Sequence, residues 1–172
     1  MDAYNNILDR KSVRKYQDKK IDNEAINKIM KAAMAGPSCL NLKDYAFIVV
    51  DDKNELKALA SLIGRTCNML NEASHAIVVL MDMTRAFPIA KNYSIIDASL
   101  ACQNIMLSAN ALGIGSVMLG IYPQEDRVLK LKDYYKLPDG MVPHSIISLG
   151  YSDDPREKED HFEESRLHYN KW

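Results

Sequence analysis

Ser94 to Leu112 reads SIIDASLACQNIMLSANAL, nineteen residues without Gly or Pro, with Asp97 as its single charge. That length and composition predict one long helix. Ile95, Ile96, Leu100, Ile105, Met106, Leu107 and Leu112 place apolar groups on several sides of it. A helix without a water-facing side belongs in an interior. One stripe differs: Ser94, Asp97, Ala101, Asn104, Ser108 and Ala111 recur at steps of three and four, which puts them on one face. Small side chains along a seam let a second helix approach closely, and Asp97 and Asn104 are placed to be hydrogen-bonded there. Two arrangements satisfy this pattern. The helix is either an ordinary core helix, or it packs along the seam against its own copy in a dimer.

The rest of the chain supplies enough material for one domain, 172 residues with a formal net charge of -1. So small a net charge favours neither nucleic acid nor a membrane surface as partner. No apolar run approaches the length of a bilayer span. The first residues, MDAYNN, lack the basic-then-apolar order of a secretory signal. Cys39, Cys67 and Cys102 are widely spaced and odd in number, which reads as reduced thiols in the cytoplasm rather than a disulfide framework.

Elements follow from punctuation and period. Asp2 caps a short helix over Ala3 to Asp9, and Asp22 caps another through Ala35, ended at Gly36. YAFIVV at 45–50, AIVVLM at 76–81, SVMLGI at 116–121 and HSIISL at 144–149 read as buried strands. Asp52 with Glu55 opens a helix ending near Gly64. Residues 65–74 are irregular or briefly helical. Pro123, taken as a first helical residue, opens a short helix over Gln124 to Leu131. Helices and strands do not alternate strictly, so the class is α+β. The tail is acidic and ends in Trp172, an aromatic that needs a surface to pack on, such as a partner subunit.

Chemistry-bearing patterns are few. In an extended Arg10-Lys11-Ser12-Val13-Arg14, residues 10, 12 and 14 point the same way and present two guanidinium groups and a hydroxyl, a set that matches phosphate. On composition alone a solvated basic loop is the commoner reading. Pro37, Ser38, Cys39 and Asn41 form a polar loop after a helix, by itself an ordinary turn. Gly113-Ile114-Gly115 lacks the third glycine of a dinucleotide fingerprint and follows a helix, and no phosphate-binding Walker loop exists. His75, His144, His161 and His168 have no metal-like spacing, and no activated nucleophile is visible.

Taken together, these pieces resemble the nitroreductase family of FMN-dependent oxidoreductases. The segment 10–14 is similar to its R-x-S-x-R/K motif. Gly36-Pro37-Ser38 with Asn41 is similar to its A-P-S-x-x-N loop. Asp97-Ala98 through Gln103-Asn104 to Ala111-Leu112-Gly113-Ile114-Gly115-Ser116 resembles its central helix, and Leu137-Pro138 with Leu149-Gly150-Tyr151 its closing motif.

The resemblance implies a central, mostly antiparallel sheet flanked by helices, an intertwined homodimer, FMN at the subunit interface, and a tail reaching over the partner. It implies that Arg10, Lys11 and Ser12 hold the phosphate and ribityl end, and that Arg14 lies near N1 and the C2 carbonyl, where positive charge favours the reduced flavin. Pro37, Ser38, Cys39 and Asn41 would contact FMN from the other subunit. Met118, Leu119 and Gly120 would lie at the flavin edge near N5. NADH or NADPH would donate the hydride, and a nitroaromatic, quinone or similar small molecule would accept it in a ping-pong scheme. Other flavin chemistry of the same family, or an FMN carrier without turnover, remain as alternatives. Two departures stand out. Lys11 replaces a common second Arg, and His161 replaces a tail Arg, so that Arg156 or Lys158 are the alternatives for the phosphate.

Overall fold

The computed structural model describes residues 2–153 and 161–172; Arg156 and Lys158 lie outside them. Four strands form one sheet in the order β1 (Tyr45–Val50), β2 (His75–Asp82), β4 (Met141–Gly150), β3 (Gly115–Gly120), and each neighbouring pair is antiparallel. Among the described residues five α-helices accompany it: α1 (Ala3–Asp9), α2 (Asn23–Met34), α3 (Lys53–Ile63), α4 (Tyr93–Ala111) and α5 (Glu125–Tyr134). The α+β expectation therefore holds, with a wholly antiparallel sheet.

Helices cover both sheet faces. On one, Ile77, Val79, Met81, Ile147 and Leu149 pack against Ile26, Ile29 and Ala33 of α2 and Ala98, Cys102 and Ile105 of α4. On the other, Val78, Leu80, Ile146 and Leu119 meet Leu56 and Leu59 of α3 and Leu131 of α5. Double coverage explains why β2 is a continuous apolar run rather than an alternating one: every residue of it is buried.

Two boundaries differ from the expectation for physical reasons. β4 begins at Met141 rather than His144, continuing through Pro143 even though the strand is central. The ladder shifts register there: Leu80 faces Pro143 and Val79 faces Ser145, leaving His144 as an extra, bulged residue. A bulge is where a central strand tolerates proline. Pro123 is not a first helical residue. It sits in a turn closed by the Gln124 N–H donating to the Ile121 carbonyl at 2.9 Å, and Gln124 occupies the N-cap of α5.

The seam of α4 is also re-assigned. Ser94, Asp97 and Ala101 are buried within this chain, and Asn104 is half-buried. The seam faces α2 and the loop after it: Asn104 Nδ2 donates to the Ala32 carbonyl at 3.0 Å, and the Cys39 N–H donates to Asp97 Oδ2 at 2.8 Å. Gly36 ends α2 beside α4, where an added Cβ would stand 3.1 Å from Asn104 Nδ2. The first half of the seam thus serves packing inside the chain, whereas further along Ser108 is half-buried and Ala111 exposed. The side of α4 left open is a different one, carrying Tyr93, Ile96, Ser99, Leu100 and Gln103.

Ala101→Leu should therefore destabilise the isolated fold by about 1–3 kcal/mol, because the seam has no room for three more carbons. Gln103→Ala, on the open side, should change stability by less than about 0.5 kcal/mol. Urea unfolding of both variants checks the assignment.

Candidate functional site

Residues 10–17 leave α1 and run along the outer edge of β3. Ser12 forms a parallel bridge with Ser116, the Val13 N–H donates to the Ser116 carbonyl at 2.9 Å, and the Gln17 N–H donates to the Tyr151 carbonyl at 2.8 Å. Two glycines admit this strap. A Cβ on Gly115 would lie 2.8 Å from Val13 Cγ1, and one on Gly150 would lie 2.6 Å from the Tyr16 ring. The Tyr16 hydroxyl donates to the Val13 carbonyl at 2.8 Å and is within 2.7 Å of Ser148 Oγ. Burial pushes this phenol up to about 12, so it remains neutral.

With Val13 buried against β3, an extended chain turns its neighbours 12 and 14 to the opposite side. Arg14 is exposed, while Arg10, Lys11 and Ser12 are half-buried. Arg10 is the C-cap of α1 in extended backbone. Asn6 Nδ2 donates to the Leu107 carbonyl at 2.9 Å and Asn110 Nδ2 donates to Asn6 Oδ1 at 2.9 Å, fastening α1 to the C-terminal end of α4. The result is a cationic edge with a hydroxyl in it.

The loop 37–41 lies elsewhere. Pro37, Leu40 and Asn41 are exposed, whereas Ser38 and Cys39 are half-buried. Leu40, Asn41 and Lys43 have φ of 49°, 57° and 50°, an uncommon run of left-handed residues. Ser38 fixes it: its carbonyl accepts from the Asn41 N–H at 2.9 Å and its Oγ from the Lys43 N–H at 3.0 Å. From below, Asp97 holds the Cys39 N–H. Burial raises the Cys39 thiol, and the Asp97 and Asp44 carboxylates add to the rise.

Met118 and Gly120 are exposed on β3, an edge strand, but Leu119 sends its side chain into the core at 8% exposure. Only the backbone of Leu119 can face a ligand. A Cβ on Gly120 would meet nothing within 4 Å, so the surface beside it is open. Arg127, which the sequence did not single out, braces this point by donating to the Gly120 carbonyl at 2.9 Å and to Thr66 Oγ1 at 3.1 Å.

These pieces do not converge within one chain. α1, which leads into the strap, is tied to α4 at Leu107 and Asn110, and the loop is tied to it at Asp97. Thirteen residues of helix separate Asp97 from Asn110, or about 20 Å.

His144, turned by its bulge toward α4, puts Nδ1 3.8 Å from Cys102 Sγ and Nε2 3.2 Å from Ser99 Oγ. The pair is not an activated nucleophile. Burial pushes the Cys102 thiol up to about 11 and lowers His144, so both are neutral near pH 7. In the tail, His161 is exposed, as is Trp172 at 99%, whose ring touches only that of His168 among the ring contacts of the described residues.

Gly115→Ala should push the strap off β3. Val13 N–H should then exchange with solvent faster in hydrogen-exchange measurements, with a loss of about 1–3 kcal/mol in stability.

The chain was compared with known proteins. The profile described as "Nitroreductase family" matches residues 7–68 and 64–151. An Archaeoglobus fulgidus protein named "Putative NADH dehydrogenase/NAD(P)H nitroreductase" is 42% identical over 175 residues, covering 96% of this chain and 96% of that one. The crystal structure of a protein of the same name from Parabacteroides distasonis superposes with a TM-score of 0.92 at 34% identity, covering 99% of this chain and 98% of that one. An "FMN-dependent Nitroreductase" from Clostridium difficile R20291 superposes with a TM-score of 0.89 at 30% identity, covering 97% and 98%. The chain belongs to the nitroreductase family.

Proposed function

We propose that this protein is an FMN-dependent oxidoreductase that takes reducing equivalents from NADH or NADPH and passes them to a small acceptor such as a nitroaromatic or a quinone. The observation that carries the reading is the strap, an extended segment whose buried Val13 directs Ser12 and Arg14 away from the sheet edge. The names borne by the A. fulgidus and C. difficile relatives supply the class of donor and cofactor. The residues suit FMN. Arg10, Lys11 and Ser12 offer cationic and hydroxyl donors of the kind a terminal phosphate needs, and Gly120 leaves open surface for a flat ring. Bound FMN would supply the hydride chemistry at its N5 atom.

The chain's own contribution is position and charge. With FMN bound, Arg14 would supply a guanidinium whose positive charge favours electron acceptance by the flavin. Met118, Leu119 and Gly120 offer edge-strand backbone, held rigid by Arg127. No side chain need act as nucleophile or base.

The second half of the site comes from another copy of the chain. About 20 Å of α4 separates the anchor of α1, which leads into the strap, from the anchor of the loop that carries Pro37, Ser38, Cys39 and Asn41, so a homodimer that sets the loop of one copy beside the strap of the other would assemble both. The exposed apolar groups support this: Tyr93, Ile96 and Leu100 on α4, Tyr4, Ile7 and Leu8 on α1, and Phe162, Tyr169 and Trp172 in the tail. Among the described residues no helix is long and apolar enough to cross a membrane, and the free Cys39, Cys67 and Cys102 suit the reducing cytoplasm.

The purified protein should be yellow, with an FMN spectrum that bleaches on adding NADH or NADPH. Arg10→Ala should lose the flavin and Lys15→Ala should keep it; equal retention would place the phosphate elsewhere. Arg14→Ala that keeps its FMN should be reduced about ten- to thirtyfold more slowly, a barrier increase of about 1.4–2 kcal/mol. Leu100→Glu should give a folded monomer without flavin in sedimentation.

A further inference from the structure

The chain has 7 glycines, and one of them has no explanation within it. Gly64, Gly113 and Gly140 have left-handed φ of 95°, 72° and 89°. At Gly36, Gly115 and Gly150 an added Cβ would crowd Asn104, Val13 and Tyr16. Gly120 has neither reason: its backbone is ordinary strand, and an added Cβ would meet nothing within 4 Å. A glycine weakens a strand, and it is kept in one where another group comes close to the backbone. At Gly120 that group is not part of this chain.

The backbone at this point is also directed. Ser116 sends its carbonyl outward to the Val13 N–H. Alternation along β3 then turns the N–H and C=O of Met118 and Gly120 outward, and those of Ile121 toward β4. The Ile121 N–H accordingly donates to the His144 carbonyl at 3.2 Å. Of the outward pair on Gly120, the carbonyl is taken. Arg127 Nη1 donates to it at 2.9 Å, while Nη2 donates to Thr66 Oγ1 at 3.1 Å. No loop or neighbouring segment takes the Gly120 N–H among the described residues.

We propose that Arg127 is a positioning residue for the flavin: through the Gly120 carbonyl it fixes the backbone that the ring approaches, so that Gly120 offers its N–H and not its carbonyl. This rests on the flavin reading of the strap and the edge strand. Arg127 touches no flavin and acts through Gly120.

Stability does not account for the contact. Gly120 and Thr66 are both exposed, so water would satisfy their oxygens if Arg127 were gone. Holding a long side chain in one geometry also costs entropy. What the rigid guanidinium fork adds is direction: it ties the end of β3 to the segment Arg65–Asn71 and to the first turn of α5. No carboxylate forms an ion pair with Arg127 among the described residues, so no paired anion cancels its charge. A cation behind this peptide favours the electron-rich, reduced ring.

Three variants test the role. Arg127→Lys keeps the charge but cannot hold both acceptors, Arg127→Gln removes the charge as well, and Thr66→Val leaves the fork anchored at Gly120 alone. Three quantities are measured: melting temperature of the apoprotein, FMN affinity by quenching of flavin fluorescence, and midpoint potential of the bound flavin. Both Arg127 variants should melt close to the wild type and bind FMN about tenfold more weakly. Thr66→Val should lose less affinity than either. The potential should fall in Arg127→Gln and fall less in Arg127→Lys. Gly120→Ala should give an apoprotein at least as stable as the wild type, because the space is free, yet one that binds FMN more weakly. Wild-type affinity and potential in both Arg127 variants would overturn the proposal. So would their failure to fold, or a melting temperature that falls in step with affinity, since either would make the fork a structural tie. A wild type that binds no FMN would instead contradict the flavin reading on which the proposal rests.

Discussion

The molecule depends on burying α4, a helix with almost no polar side, within a chain of modest size. One side lies on the sheet through Ala98, Cys102 and Ile105, and a second lies on α2 through Ala101 and Asn104. Three polar groups on the seam have dedicated partners: Ser94 with Asp44, Asp97 with Cys39, Asn104 with Ala32. Unpaired, each would cost about 1–3 kcal/mol. Those three contacts also define where the loop after α2 begins, so the packing of the helix and the placement of half of the proposed site are one event.

The other end of α4 does comparable work. Gly113, at φ 72°, ends the helix, with the Ile114 N–H reaching back to the Ala109 carbonyl at 2.9 Å. The chain therefore enters β3 immediately, and Gly115 at its start leaves the space that Val13 fills. The strap is extended because β3 offers it an edge to bridge, and alternation along an extended chain then decides which side chains face outward. A cationic segment that composition alone assigns to solvent becomes an ordered array by pairing with a strand a hundred residues away.

Much of this was legible in advance. The strands β1 and β2 and the caps at Asp2, Asp22 and Asp52 follow from period and local chemistry. What could not be read depended on contacts between distant segments. The seam was offered either to the core or to a second copy of α4, and the pattern is the same for both. Only the meeting with Ala32 and Cys39 decides that α2 and its loop take it. The bulge at His144 hid the start of β4 because a proline stood in it. Asp44 carried no motif: its buried carboxyl is engaged only by Ser94 Oγ of α4, fifty residues later in the sequence, among the described hydrogen bonds of its side chain.

The central claim is that one flavin site is built from the strap of one chain and the loop of another. Complementation tests it most directly. Arg10→Ala removes the proposed phosphate contact of the strap, and Pro37→Trp blocks the loop at a residue exposed in the single chain. Neither variant alone should bind FMN. Unfolded together and refolded as a mixture, they should form hybrid dimers in which one of two sites has both halves intact, restoring about a quarter of the wild-type flavin content. A mixture that binds no more FMN than its components would contradict a site shared between chains.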